Sequence, residues 1–244
     1  MQQLKDFADD RLLNGCVYCE GGFEETRDHV PSRILLDKPF PANLPVVPAC
    51  ADCNAAFAFD EEYVAALIDC VLVGSTDPER IRNERLARAF SRNVPLRARI
   101  ERARHVEGKT TTFSIEEERV ENVIVKLAKG HAAYELGVPY RQAPEMVVWC
   151  PVPNMTTEEW SAFDAAHVGG LINEVGSRNS QRMLCTQVTL RSMAGEDRAV
   201  NFLVNDWIVV QEGRYRYQAI DEPEIVRIKI LLSEYLACEV TWKR

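Results

Sequence analysis

The chain has 244 residues, 46% of them hydrophobic and 27% charged, which is the composition of a globular protein with a sizeable core and excludes a disordered or fibrous one. Its formal charge is −8, from 29 basic and 37 acidic residues, so overall charge would repel a nucleic acid and any such partner needs a local basic surface. No apolar run is long enough to cross a bilayer, and residues 1 to 15 lack the basic-then-apolar order of a secretory signal. A cytoplasmic protein with no membrane partner is expected.

Residues 1 to 15 read as a short lead-in with a helical turn through Leu4, Phe7 and Leu12. Two Cys-x-x-Cys pairs follow, Cys16/Cys19 and Cys50/Cys53, and this spacing predicts one tetrahedral zinc ion held by four thiolates. Between them lie Asp28 and His29, a proline-rich loop, and the extended apolar segment LPVVPAC, which would deliver Cys50 to the zinc from the opposite side. After Cys53, apolar residues at helical spacing (Phe57, Tyr63, Val64, Leu67, Ile68, Val71) predict a helix that stops at Gly74. Asp60, Glu61 and Glu62 fall in its first turns, where negative charge suits the helix dipole; a carboxylate offered to a metal is the rival reading.

A second helical segment is expected to open at Asp77-Pro78, an N-cap with proline at the first helical position, and to break near Pro95. It carries Arg80, Arg82, Arg85, Arg88, Arg92, Arg97, Arg99, Arg102 and Arg104 against Glu79, Glu84 and Glu101. In an acidic protein this is a concentrated positive stripe, weighed here between an ordinary solvated helix face and a phosphate contact.

From about Glu107 the composition changes. Ser114 with Glu117 has capping-box spacing, followed by Val120, Val123, Ile124, Leu127, His131 and Tyr134 on one helix face and a stop at Gly137. Thr156 with Glu159 is a second box, with Met155 and Trp160 as its hydrophobic staple. The runs MVVWCPV, MLCTQVTL, AVNFLVNDWIVVQ, RYRYQAI, IVRIKILL and LACEVTWK read as strands of a mostly antiparallel sheet. Cys70, Cys150, Cys185 and Cys238 stand singly among apolar neighbours and read as buried free thiols. His131, and the tryptophans 149, 160, 207 and 242, read as core; His105 and His167 carry no supporting pattern.

Hydrolysis of a phosphodiester needs an activated water, an electrophile for the phosphoryl oxygen, and neutralisation of the leaving oxygen; one histidine and one divalent metal make a minimal set. Asp28 and His29 supply that pair of residue types inside the zinc loop. The order Cys-x-x-Cys, Thr26-Arg27-Asp28-His29-Val30-Pro31, Asn43-Leu44, Cys50-x-x-Cys53-Asn54 resembles the HNH, or ββα-metal, endonuclease family in its zinc-stapled form, and is similar in motif order to its phage junction-resolving members. The match spans about residues 14 to 70. The resemblance implies that His29 is the general base, that Asp28 and Asn54 hold a catalytic Mg2+ or Mn2+, that Asn43 orients the base, and that Cys16, Cys19, Cys50 and Cys53 bind the structural Zn2+. It also implies products with a 5′ phosphate and a 3′ hydroxyl.

One departure matters. Many members carry a lysine shortly after the last Cys-Asn, whereas this chain has Asn54-Ala55-Ala56-Phe57. Arg27, Arg33 or stripe residues such as Arg85, Arg88 and Arg92 would then contact the phosphates. The expectation is an α+β protein with a zinc-stapled nuclease module at residues 1–75, an Arg-rich helical segment at 76–108 and an α+β domain of mostly antiparallel sheet at 109–244. Its function is expected to be metal-dependent cleavage of DNA, or of RNA, with a homodimer left open. The alternative is a non-catalytic zinc-binding module that docks nucleic acid or protein.

Overall fold

In the computed structural model, which describes residues 14–169, 177–191 and 197–244, two short strands bring the cysteine knuckles together. The lead-in turn through Leu4, Phe7 and Leu12 lies outside these residues. β1 (Thr26–His29) pairs antiparallel with β2 (Val46–Ala49), Thr26 opposite Ala49 and His29 opposite Val46. Val47 and Ala49 point into the core while Val46 and Pro48 are half-exposed, the alternation a two-residue period dictates. α1 (Ala51–Ala56) starts at once, with the Cys50 sulfur accepting the Cys53 N–H at 3.4 Å in the manner of an N-cap oxygen.

The single helix expected after Cys53 is two. The chain turns at Phe57 into α2 (Ala58–Val73), which ends at Gly74 in the left-handed conformation, as the sequence predicts. From Tyr63 to Cys70 α2 is buried all round, so it is an internal helix of the protein. Asp60 and Glu61 stand in its first turn, as expected, and they have a second task. Asp60 accepts bonds from Arg119 (2.5 Å) and Asn122 (2.7 Å), Glu61 from Lys126 (2.6 Å), and Glu62 from Asn93 (3.0 Å), so each carboxylate ties α2 to a later segment.

The Arg-rich stretch also differs from its reading. Asp77 is an N-cap as expected, its carboxylate accepting the Glu79 N–H at 3.1 Å with Pro78 at the first position, but what it opens is only a 3-10 turn (Pro78–Arg80), after which Ile81 is extended and buried. Asn83 is the effective cap: its Oδ1 accepts the Leu86 N–H at 2.9 Å while its amide donates to the Leu36 carbonyl at 3.0 Å. α3 (Glu84–Arg92) and α4 (Val94–Arg102) are separated at Asn93, which caps α4 through the Leu96 N–H, with Pro95 in the first turn. An unexpected hairpin follows, β3 (Arg104–Glu107) and β4 (Thr110–Phe113), turning at Gly108-Lys109. It uses Ser114 as a hydrogen-bond partner for His105 at 3.0 Å, so Ser114 does not cap the next helix.

That helix, α5 (Glu117–Leu136), is the axis of the molecule. It packs against α2 and β2 on one side and against strands of the main sheet on the other. The rest comprises β5 (Met146–Pro151), α6 (Thr157–Asp164) with its complete Thr156/Glu159 capping box, β6 (His167–Gly169), the short α7 (Arg178–Arg182), β7 (Leu184–Arg191), β8 (Asp197–Asn205), β9 (Ile208–Gln211), β10 (Tyr215–Asp221), β11 (Ile225–Leu232) and β12 (Leu236–Lys243). The main antiparallel sheet has the order β5-β12-β11-β10-β9, and a second has the order β6-β8-β7. The run expected as one strand, AVNFLVNDWIVVQ, therefore divides at Asp206-Trp207 between two sheets.

One hydrophobic cluster runs from Cys16, Val17 and Val30 through α2 and α5 to Ile228, Val240 and Trp242, so residues 14–75, 76–108 and 109–244 share a core. A small second cluster, Phe163, Leu231 and Ala237, lies on the other face of the main sheet with Met155 and Trp160 against it. Cys70 and Cys238 are buried thiols as expected; Cys150 is only half-buried and Cys185 is exposed. Cys185 lies on β7, every residue of which is exposed. Among the described residues no helix is long and apolar enough to cross a membrane.

Gly130 sets how closely α5 approaches β1. A Cβ at this position would lie 2.5 Å and 2.9 Å from the two methyl carbons of Val30, the residue after His29. Gly130→Ala should therefore destabilise by about 1–3 kcal/mol through overpacking, against the gain of about 1 kcal/mol that the same change gives in an uncrowded helix. Urea midpoints for the two proteins decide the sign.

Candidate functional site

The two knuckles converge. Each of Cys16, Cys19, Cys50 and Cys53 offers a sulfur, and the four sulfurs lie within 4.8 Å of one another; among the described residues no other group of three or more His, Cys, Asp or Glu ligand atoms comes together this way. Zn–S bonds of about 2.3 Å imply a tetrahedron edge of about 3.8 Å, and the Cys19 and Cys50 sulfurs are 3.8 Å apart. The donor set fits a zinc ion.

Its surroundings fit as well. Burial pushes the Cys16 thiol up, but backbone N–H groups of Cys50, Tyr18 and Cys19 outweigh burial and bring it down to about 7. Burial and the crowded neighbouring thiols push Cys53 well up. A zinc ion with four thiolates carries two net negative charges. Lys129 of α5 stands near enough to feel Cys53, Cys19 and Cys16, and Arg141 holds the first knuckle from outside by donating to the Cys16 carbonyl at 2.8 Å. Gly22 is pressed against it: a Cβ there would lie 2.8 Å from the Cys19 sulfur, 3.0 Å from the Cys16 Cβ and 3.1 Å from the Cys50 Cβ.

Asp28 and His29 are consecutive residues of β1, so their side chains leave the strand on opposite faces. Asp28 shares the inner face with Thr26 and is buried. One of its oxygens, Oδ2, accepts the Tyr18 hydroxyl at 2.7 Å and lies 2.6 Å from the Lys126 ammonium of α5. Asn54, in α1, donates its amide to the Thr26 hydroxyl at 3.1 Å. Asn43 is exposed in the turn ahead of β2.

His29 lies half-buried at the end of β1. Burial lowers its pKa, and the Arg33 charge lowers it further against the opposing pull of Asp28, so its imidazole is neutral at pH 7. Arg33 lies 5.6 Å over the Phe40 ring, and Arg85 from α3 lies 5.9 Å from the same ring. Two guanidinium groups thus share one aromatic ring, and one of them acts on His29. This is the basic feature closest to the histidine, and it joins the knuckle loop to the Arg-rich segment.

The rest of the stripe is partly neutralised. Arg88 pairs with Glu84, Arg99 with Glu116, and Arg104 with Glu101, while Arg92 has no partner among the described residues. Arg27 pairs with Glu24 at 3.3 Å on the exposed face of β1. Arg97 and Arg104 line a cleft of about 500 Å³ together with Asp77 and Glu101, a mixed-charge surface unlike a phosphate cradle.

The residues implied for a catalytic Mg2+ or Mn2+, Asp28 and Asn54, do not fit that ion as placed. Asp28 already neutralises a buried ammonium, and the Asn54 amide is turned to Thr26. The residue that sequence reasoning missed is Lys126. The available signal was a lysine inside the apolar run VIVKLAKG, where a buried charge must find an opposite one. No family model matches this chain, and no curated protein or solved structure matches it significantly.

Proposed function

We propose that the chain cleaves a phosphodiester bond of nucleic acid, DNA foremost, at the end of β1. The observation that carries this reading is a neutral, half-buried His29 at the edge of a hairpin closed by four cysteines, beside the Arg33–Phe40–Arg85 group. The motif order that resembles the ββα-metal endonucleases supports it, as does the observed order of hairpin, knuckle and helix.

In this reading the nucleic-acid backbone lies across Arg33 and Arg85, whose guanidinium groups suit phosphate oxygens, and Phe40 offers a stacking face. His29 takes a proton from water as the water oxygen bonds to phosphorus. The P–O3′ bond breaks, and the departing oxygen acquires a proton from solvent, leaving a 5′ phosphate and a 3′ hydroxyl. Arg33 offsets the charge that builds on the phosphoryl oxygens. A second reading, a non-catalytic module that docks nucleic acid through the same arginines, is favoured by one observation: Asp28 is held by Lys126 and Tyr18.

Supercoiled plasmid and single-stranded and branched DNA incubated with the zinc-loaded protein separate the two. Cleavage by the parent should fall at least about 100-fold in His29→Ala, the usual contribution of a general base, with zinc content unchanged. Because the base must be unprotonated and its pKa lies below the ordinary histidine value, the rate should be level at neutral pH and decline only in acid. Binding of all three substrates without cleavage of any makes the docking module the better account.

A further inference from the structure

The position against Asp28 already has a cation. Lys126 presents three N–H groups, and three acceptors meet them: Asp28 Oδ2 at 2.6 Å, Glu61 Oε1 at 2.6 Å and Ser32 Oγ at 2.8 Å. These are charge-assisted N–H···O distances of about 2.7–2.9 Å or slightly less, not the roughly 2.0–2.1 Å of magnesium–oxygen bonds. The Ser32 hydroxyl in turn bonds to Glu61. The Tyr18 and Phe57 rings flank the ammonium at 5.7 Å and 5.9 Å, and the lysine side chain is 1% exposed.

We propose that the Lys126 ammonium is the resident cation of the Asp28–Glu61–Ser32 site, so that this site takes no divalent metal. Three features make the occupant permanent. The three acceptors saturate the three donors, which leaves no reason for the ammonium to turn elsewhere. α5 is fixed at the same place by Gly130, one turn further on, in contact with Val30. A divalent ion bound to Asp28 Oδ2 would take one of the three acceptors from an ammonium that is 1% exposed and has no water to replace it.

The function of the Asp28 carboxylate follows from this. It clasps β1 to α5 across the core, and a metal ion has no part in that task. Occupation of the site by lysine holds whether or not His29 activates water, and metal binding reads it without any assay of cleavage.

Zinc-loaded full-length protein should be titrated with Mn2+ while the signal of the free ion is followed by electron paramagnetic resonance. The parent is expected to take up no Mn2+. Lys126→Ser leaves the Asp28 and Glu61 carboxylates and the Ser32 hydroxyl facing the space of the lost ammonium; it should unfold several degrees below the parent and recover on binding one Mn2+ per chain. Uptake of one Mn2+ by the parent, abolished in Asp28→Asn, would overturn the proposal. A folded Lys126→Ser that ignores Mn2+ would also overturn it, since the three acceptors would then define no cation position. Should that variant not fold, the comparison of parent with Asp28→Asn still decides.

Discussion

Stripping zinc from the protein with a strong chelator is expected to release one ion per chain and to remove about 10 kcal/mol or more of apparent stabilisation from the knuckle region, the scale of structural zinc in small modules. The strands that carry the cysteines explain the size. β1 and β2 are four residues each and α1 is six, too short to hold their geometry unaided, and the Cys50 sulfur is itself the cap of α1. Without the ion, four sulfurs within 4.8 Å are thiols that cannot all ionise together. Amide hydrogen exchange should report lost protection in β1, β2 and α1, with protection retained in β10 to β12. Because thiolates bind the metal and protons compete for them, zinc affinity should fall steadily as the pH is lowered. Cys16→Ser with Cys50→Ser should reproduce the chelated state. Cys185→Ser, at an exposed thiol on β7, should leave zinc content and unfolding midpoint unchanged. A chelated protein with an unaltered exchange pattern would remove the staple from the account.

What was legible in the sequence was local. The two Cys-x-x-Cys pairs, the stops at Gly74 and Gly137 and the Thr156/Glu159 box each depend on residues within a few positions of one another, and the structure has all of them. Strand runs from Met146 onward were readable for the same reason, since alternation and turn residues are short-range signals. Asp77 does cap the short turn at Pro78–Arg80, but the second cap at Asn83 was missed, because what fixes Asn83 is a distant partner, the Leu36 carbonyl. Ser114 lost its capping role to His105 in a hairpin that the Arg-rich pattern concealed. The environment of Asp28 was illegible for a stronger reason: its partner lies 98 positions away in sequence, and Glu61 and Lys126 meet only because α2 and α5 pack together. Spacing alone said which residue types sit near the zinc loop. It could not say which of them was already spoken for.

At the other end of α5, Arg182→Met should cost about 3 kcal/mol at neutral pH, the low end of the range for leaving a buried charge unpaired, because Arg182 itself is 42% exposed and its attraction is screened. Glu135 of α5 is fully buried. Its Oε1 accepts the Tyr217 hydroxyl at 2.5 Å and the Arg182 guanidinium at 2.7 Å, while Oε2 has no hydrogen-bond partner among the described residues. Burial raises the Glu135 pKa even with Arg182 present, and removal of the arginine leaves burial less opposed. A carboxyl whose folded pKa is raised stabilises the fold most fully below its unfolded pKa and loses that contribution as the pH rises through the folded value. The deficit of Arg182→Met relative to the parent should therefore be largest at neutral pH and shrink as the pH falls and the buried carboxyl takes up a proton. His131, one turn earlier and stacked on Tyr217 at 3.6 Å, pulls the other way, since burial lowers its pKa and both proteins lose stability below the ordinary histidine value. The difference between the two urea midpoints at each pH cancels that shared loss. A difference that does not change with pH would mean that Arg182 contributes only packing, and that its charge does nothing for Glu135.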